Sequence, residues 1–345
     1  MIDKMNDNTP IIDIKIFTAE AIATALISAI AIILNLIVAA AFFKGKELRT
    51  PASLFLANLT LTDLICSLSL MIEAVLNFIL LQLPLEVNSL NGICKFSNYL
   101  SGLSYIALSA TLSGLSIERY NVIVRTKSRG INLNKAKLLI IIIWIYGVVT
   151  AIPLGFTVGT TFILHTNGKN YSRCVLLYEH STFNAVFYII GFFALFLVPF
   201  LSILFAYYKI ALRIYHNKRP GQSAVRVVTA REKRKRQQVV VLFTMTVTFM
   251  LSSLPYIGLL VIVALYQLYK IPIYQESQLF WIMFVFAKLL YACPCLYDPI
   301  LYNFIRLNFR KAFFNTFNPC NPKKQVQVHP ATSSRIGPTE VVGIK

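Results

Sequence analysis

The chain has 345 residues, of which 57% are hydrophobic and 14% charged, with a formal net charge of +19. Soluble domains carry about 45–50% apolar and about 25% charged residues, and disordered chains need low hydrophobicity, so both classes are excluded. The basic residues lie between long apolar runs rather than across a soluble surface, which argues for a membrane and against nucleic acid as a partner.

In chain order, residues 21–43 form the first run without a charge. Residues 52–85 follow, interrupted only by Asp63 and Glu73. The runs 96–117, 138–168, 181–208 and 237–269 are uncharged, and 277–302 contains Lys288 and Asp298. A helix needs about 20 apolar residues to cross the roughly 30 Å hydrocarbon core, and backbone polar groups in lipid must be satisfied within the chain. The reading is an all-α membrane protein, a seven-transmembrane helix bundle.

Lys44, Lys46 and Arg49, then Arg125, Lys127, Arg129, Lys135 and Lys137, then the 209–236 segment ending in Arg231-Glu-Lys-Arg-Lys-Arg236, all fall on one side. The other side holds only Lys4, Lys15, Lys95, Lys169, Arg173 and Lys270. Basic loops stay in the cell beside anionic membrane lipid, which puts the amino terminus outside and the carboxyl terminus in the cytoplasm of a multi-pass plasma-membrane protein. The first apolar run is too long for a signal peptide and lacks a cleavage site, so it reads as an anchor.

The expected division is an extracellular tail over 1–17, the bundle over 18–302, a short amphipathic cytoplasmic helix over 303–317 and a disordered tail over 318–345. Phe304, Leu307, Phe309, Phe313 and Phe314 alternate with Arg306, Arg310 and Lys311, the pattern of a helix lying on the membrane surface. Cys320 beyond it is a palmitoylation candidate, with an exposed thiol as the alternative. On the outer side, Cys94 and Cys174 are two cysteines in an oxidising compartment, read as a disulfide rather than two free thiols. Asn170-Tyr-Ser172 nearby is a glycosylation sequon at Asn170.

One motif per span then carries a resemblance. Asn35 marks the first, Asn58-Leu-Thr-Leu-Thr-Asp63 the second, and Cys94 followed by Glu118-Arg119-Tyr120 the third. Trp144, Pro199 with Tyr207, Phe249 with Pro255, and Asp298-Pro299-Ile-Leu-Tyr302 mark the remaining four. This ordered set resembles the rhodopsin-like (class A) G-protein-coupled receptors over nearly the whole chain. The resemblance implies a receptor, not an enzyme, that converts an extracellular stimulus into activation of a heterotrimeric G protein. It implies arrestin and receptor kinase as further partners, acting on Thr332, Ser333, Ser334 and Thr339 in the tail.

In that family Arg119 would meet the G protein, with Glu118 and Tyr120 beside it, and Tyr207 and Tyr302 would support the open state. Pro199, Pro255 and Pro299 each remove a helical hydrogen bond and permit a hinge. Two departures stand out. Ser253 occupies the place of the usual tryptophan before Pro255, which shifts the ligand trigger toward Phe249. Lys235 occupies the place of an acid that often pairs with the third-span arginine, which leaves Glu118 as the partner of Arg119 and suggests high basal activity. Asp63 and Asp298 could hold Na+, but Leu108 replaces a common polar ligand, and two carboxylates sharing a proton is the preferred reading.

For the ligand, Ser101 replaces the aspartate of amine receptors, which disfavours a biogenic amine. Glu73 lies ten residues outward of Asp63 and Lys288 ten outward of Asp298, each about 15 Å, so the two share a depth and are expected to pair. Glu73, Ser101, Tyr105, Phe249, Ser253, Lys288 and Ala292 form the candidate pocket for a small-molecule or peptide ligand. The alternative follows from Phe286-Ala287-Lys288, which is similar to the retinal-binding motif of opsins. The opsin lysine would fall at Ala292, one turn away, so this alternative is a divergent opsin like the placozoan opsin-related receptors, with retinal on Lys288 as cofactor and Glu73 as counterion. A transporter or channel predicts polar stripes through several spans, and a metalloenzyme predicts ligand spacing that His165, His180, His216 and His329 do not have.

Overall fold

The computed structural model describes residues 14–44, 50–83, 90–125, 131–166, 169–216, 230–270 and 278–305. Among them are seven helical spans long and apolar enough to cross a membrane. The first three are α1 (Ile14–Lys44), α2 (Pro51–Gln82) and α3 (Asn91–Ile123). The fourth comprises α4 (Leu133–Ala151) and the short α5 (Leu154–Thr157), and leads into a hairpin of β1 (Val158–Thr166) and β2 (Lys169–Leu176). The fifth joins α6 (Ser181–Gly191) to α7 (Val198–His216) through a π-helical turn, Phe192–Leu197. α8 (Ala230–Leu268) is the sixth, and α9 (Gln278–Ala292) with α10 (Pro294–Ile305) the seventh.

Local sequence starts several of these helices. Thr50 accepts a hydrogen bond from the Ser53 amide at 3.2 Å, and Pro51 takes the first helical position, where its missing N–H costs nothing. Asn132 caps α4 by accepting from the Lys135 amide at 2.8 Å. Ile141, Ile145 and Val149 of α4 remain more than half exposed on the outside of the bundle, a surface suited to lipid rather than water.

Inside, Phe55, Leu59, Leu112, Leu115, Ile203, Ile210 and Met245 form one buried core. Because lipid is as apolar as leucine, polar bonds between helices add specificity that burial alone does not. Asn58 donates to Thr111 at 2.8 Å and accepts from the Trp144 indole at 2.8 Å, joining the second, third and fourth spans.

The prolines explain two further cross-links. Pro299 cannot donate to the Cys295 carbonyl four residues back, and Asn35 Nδ2 of α1 donates to that carbonyl instead at 2.8 Å. Pro199 likewise leaves the Leu195 carbonyl without its helical donor, and the Ser109 hydroxyl of α3 lies 3.4 Å from it. The backbone loosens just there, in the π-helical turn.

The structure differs from the sequence reading in three places. The first helix begins at Ile14, so residues 14–17 belong to it and not to a tail, and Glu20 lies inside the span. The apolar run to residue 168 does not continue as helix past Thr157. β-branched residues favour a strand over Val158–Thr166, which pairs with Lys169–Leu176. The seventh span breaks at Pro294, while Pro299 sits within α10. The surface helix, Cys320 and the tail fall outside the described residues, apart from 303–305 at the end of α10.

Removing the side-chain amide in Asn35→Ala should cost about 1–3 kcal/mol, because a buried carbonyl loses its donor. In a Pro299→Ala background the backbone supplies that donor, and the cost should shrink. Thermal unfolding of the four detergent-purified variants tests this, and strictly additive losses would contradict the shared carbonyl.

Candidate functional site

A two-stranded hairpin is marginal alone, so the β1–β2 hairpin depends on what holds it. Cys174 is bonded to Cys94 at the start of α3, with their Cα atoms 5.7 Å apart. Asn77 of α2 accepts from the Cys174 amide at 3.1 Å, and Asn91 of α3 from the Thr160 amide at 3.2 Å. Gln267 of α8 donates to the Leu176 carbonyl at 2.9 Å, and Asn184 of α6 to the Leu177 carbonyl at 2.8 Å. Side-chain amides from four helices thus satisfy backbone groups of the hairpin and its exit, and fix it across one end of the bundle.

The same end holds a chain of four charges. Lys288 Nζ of α9 lies 2.6 Å from Glu73 Oε1 of α2 and 2.9 Å from Glu20 Oε1 of α1. The other oxygen of Glu20 pairs with the Arg173 guanidinium of β2, which also covers the Phe17 ring at 4.2 Å. Phe17 in turn meets Trp281 edge-on at 5.6 Å. None of the four charged side chains is more than 11% exposed, which separates this cluster from screened surface pairs. Two acids balance two bases, so no buried charge stands alone.

Beside the cluster lies a cavity in two chambers. One holds about 820 Å³ of space counted to its open side and is lined by Ser101, Tyr105, Phe187, Leu195 and Ile257 among others. The second holds about 930 Å³ and is lined by Phe17, Arg173, Trp281, Phe284 and Lys288 among others. Glu73, Asn98, Tyr188, Tyr256 and Leu260 line both, so the chambers adjoin. Tyr256 packs against Tyr291 at 5.0 Å and Phe284 at 5.7 Å, giving the wall an aromatic face.

Of the candidate pocket residues, Glu73, Ser101, Tyr105 and Lys288 line this cavity. The other three do not. Phe249 lies behind Tyr105, ring to ring at 5.2 Å, and the Ser253 hydroxyl is turned to the Phe249 carbonyl at 2.7 Å. Ala292 is fully buried with Cys66, Leu70, Tyr291 and Cys295. Helical periodicity places them on the inward face, and the bulk of Tyr105 and Tyr291 separates them from the open space. Glu20 and Arg173 were missed: Glu20 stands one residue before the charge-free run, and Arg173 one residue before the disulfide cysteine.

At the opposite end, Glu118 Oε2 lies 3.1 Å from Arg119 Nε. Arg125 stacks over Tyr120 at 5.6 Å, and Tyr207 is buried with its ring edge-on to Phe243 at 5.2 Å. Asp63 and Asp298 are both fully buried, on the packed helices α2 and α10. Lys235 lies on α8 and Tyr302 on α10, but their side chains are outside the described residues, as is that of Asn170, whose backbone pairs with His165 in the hairpin.

A family model described as 7 transmembrane receptor (rhodopsin family) matches residues 34–302. Human neuropeptide FF receptor 1 is 24% identical over 309 residues, spanning 86% of this chain and 69% of the receptor. The RYamide receptor of Drosophila melanogaster is 25% identical over 281 residues, 79% of this chain and 57% of that one. Rhodopsin of Todarodes pacificus is 27% identical over 298 residues, 82% and 62% of the two chains.

The ion-pair geometry predicts unequal effects of two substitutions. Lys288→Met leaves Glu20 and Glu73 facing a neutral side chain and should cost about 3–5 kcal/mol. Glu73→Gln leaves Lys288 on Glu20 and should cost about 1–3 kcal/mol. Thermal unfolding in detergent ranks them, and equal losses would contradict the sharing of Lys288 by two acids.

Proposed function

Since the chain belongs to the rhodopsin family of seven-transmembrane receptors, we propose that this G-protein-coupled receptor answers to a peptide whose end enters the cavity under the hairpin. The observation that carries this reading is the aromatic-walled space between the hairpin and Tyr105, open on one side and flanked by Glu73. The neuropeptide and RYamide receptors among its relatives support the ligand class. On this reading the hairpin end faces outward, which the distribution of Lys and Arg supports, and the Arg119 end faces the cytoplasm at the plasma membrane.

The opsin alternative is not favoured. Lys288 is shared by two carboxylates at 2.6 and 2.9 Å, an arrangement complete without a chromophore, and the opsin lysine position is filled by the buried Ala292.

Signalling is a shift between two packings of the bundle, biased by a ligand that fits one better. Tyr256, Ile257 and Leu260 of α8 line the cavity directly, and Tyr105, which touches the cavity on one side and Phe249 on the other, carries ligand contact one step deeper along the same span. Opening at the Arg119 end exposes that arginine to the G protein. Palmitoylation at Cys320, glycosylation at Asn170, and arrestin and kinase acting on the tail belong to the same proposal. So does a shared proton, rather than Na+, between Asp63 and Asp298.

In cells carrying a chimeric G-protein panel, at least one amidated neuropeptide should raise signalling in a dose-dependent way. Arg119→Ala should abolish the response, Tyr256→Ala should raise the half-maximal concentration about tenfold, and retinal should change nothing. Silence to every peptide from receptor present at the surface, or a light response with retinal, would overturn the reading.

Lys235 cannot pair with Arg119, so signalling without ligand should exceed the empty vector, and Lys235→Glu should lower it. A ligand-free signal equal to that of the vector would remove the basis for this expectation.

A further inference from the structure

The charge cluster is complete within itself except at its cavity side. Glu20 uses one oxygen on Lys288 and the other on Arg173. Lys288 is met by both acids. Glu73 gives Oε1 to Lys288, its Oε2 meets no donor among the described residues, and the side chain borders both chambers. Asn98, which lines the same two chambers, donates its amide N–H to the Cys94 carbonyl at 3.3 Å and toward Cys174 Sγ at 3.4 Å. Its carbonyl oxygen has no donor among the described residues. Two side chains with acceptor capacity therefore meet at the seam of the chambers, with Tyr188 and Tyr256 on the same seam.

Acceptors without donors, beside aromatic faces, select a ligand group rich in N–H and positively charged. Arg173 and Lys288 are the competing features, since either cation could take an anion. Arg173 already lies between Glu20 and the Phe17 ring, Lys288 is shared by Glu20 and Glu73, and each borders one chamber only. An anion there would also approach Glu73. We propose that Glu73, together with Asn98, is the binding site for a guanidinium or ammonium group of the ligand. Glu20 shares the load on Lys288, so that Glu73 is not its sole counter-charge. The proposal rests on the reading of this cavity as the ligand site.

The test uses purified full-length receptor in detergent and no G protein, so it stands apart from the peptide assay. Phenylguanidine, its neutral isostere phenylurea, and benzoate are each added at millimolar concentration, and the thermal unfolding midpoint is read. Phenylguanidine should raise the midpoint by several degrees, and the other two should not. Glu73→Gln, which keeps Lys288 on Glu20, should erase the phenylguanidine shift, and Asn98→Ala should reduce it. Glu73→Asp, which keeps the charge, should retain part of it. Equal shifts with phenylurea, a shift with benzoate alone, no shift with any probe, or an undiminished shift in a folded Glu73→Gln receptor would overturn the proposal. Should Glu73→Gln fail to fold, competition between phenylguanidine and lysine amide on the wild-type receptor decides instead: mutual displacement supports a shared cation site, and independent shifts overturn it.

Discussion

A charged side chain in a low-dielectric bundle must find its opposite, and at the hairpin end that requirement organises everything else. Glu20, Lys288, Glu73 and Arg173 come from α1, α9, α2 and β2, so one balanced cluster ties four separate elements. Remove Lys288 and two carboxylates lose the cation they share, whereas removing Glu73 leaves Lys288 on Glu20. The first span is thereby drawn into the outer wall of the cavity through Phe17 and Glu20. The hairpin is held to the first span by charge, to the third by sulfur and to four helices by amides, and the space below it keeps its shape.

Deeper in the bundle the same logic applies to backbone groups. A proline in the interior of a span leaves a carbonyl without its helical donor, and lipid offers no water in its place. Asn35 meets the Cys295 carbonyl and Ser109 faces that of Leu195, so two proline sites double as contacts between spans. A position where proline removes a helical bond is thus also one that a neighbouring helix touches. That couples the seventh span to the first and the fifth to the third without any added residue.

Much of this was legible in the residues. Charges inside apolar runs stand out, and ten-residue offsets from Asp63 and Asp298 place Glu73 and Lys288 at one depth. The ordered motifs point to the family that the profile match shows. Glu20 escaped because a charge-free window begins after it, although the helix that contains it starts six residues earlier, at Ile14. The hairpin escaped because Val158–Thr166 is as uncharged as the helix before it, and its pairing depends on a partner strand that periodicity does not reveal. Ser253 and Ala292 share a face with true lining residues, and only the volumes of Tyr105 and Tyr291 decide that the cavity stops short of them.

The sixth span is one unbroken helix of 39 residues. From Pro255 to its far tip at Ala230 it measures about 37 Å at 1.5 Å per residue, more than the hydrocarbon thickness of a bilayer. As a rigid arm pivoting at the proline, it turns a tilt of about 10° into a sweep of about 6 Å at its basic tip. On the proposed mechanism, small rearrangements of rings near Phe249 would be geared up into a displacement large enough to open or close a cleft at the other face of the membrane.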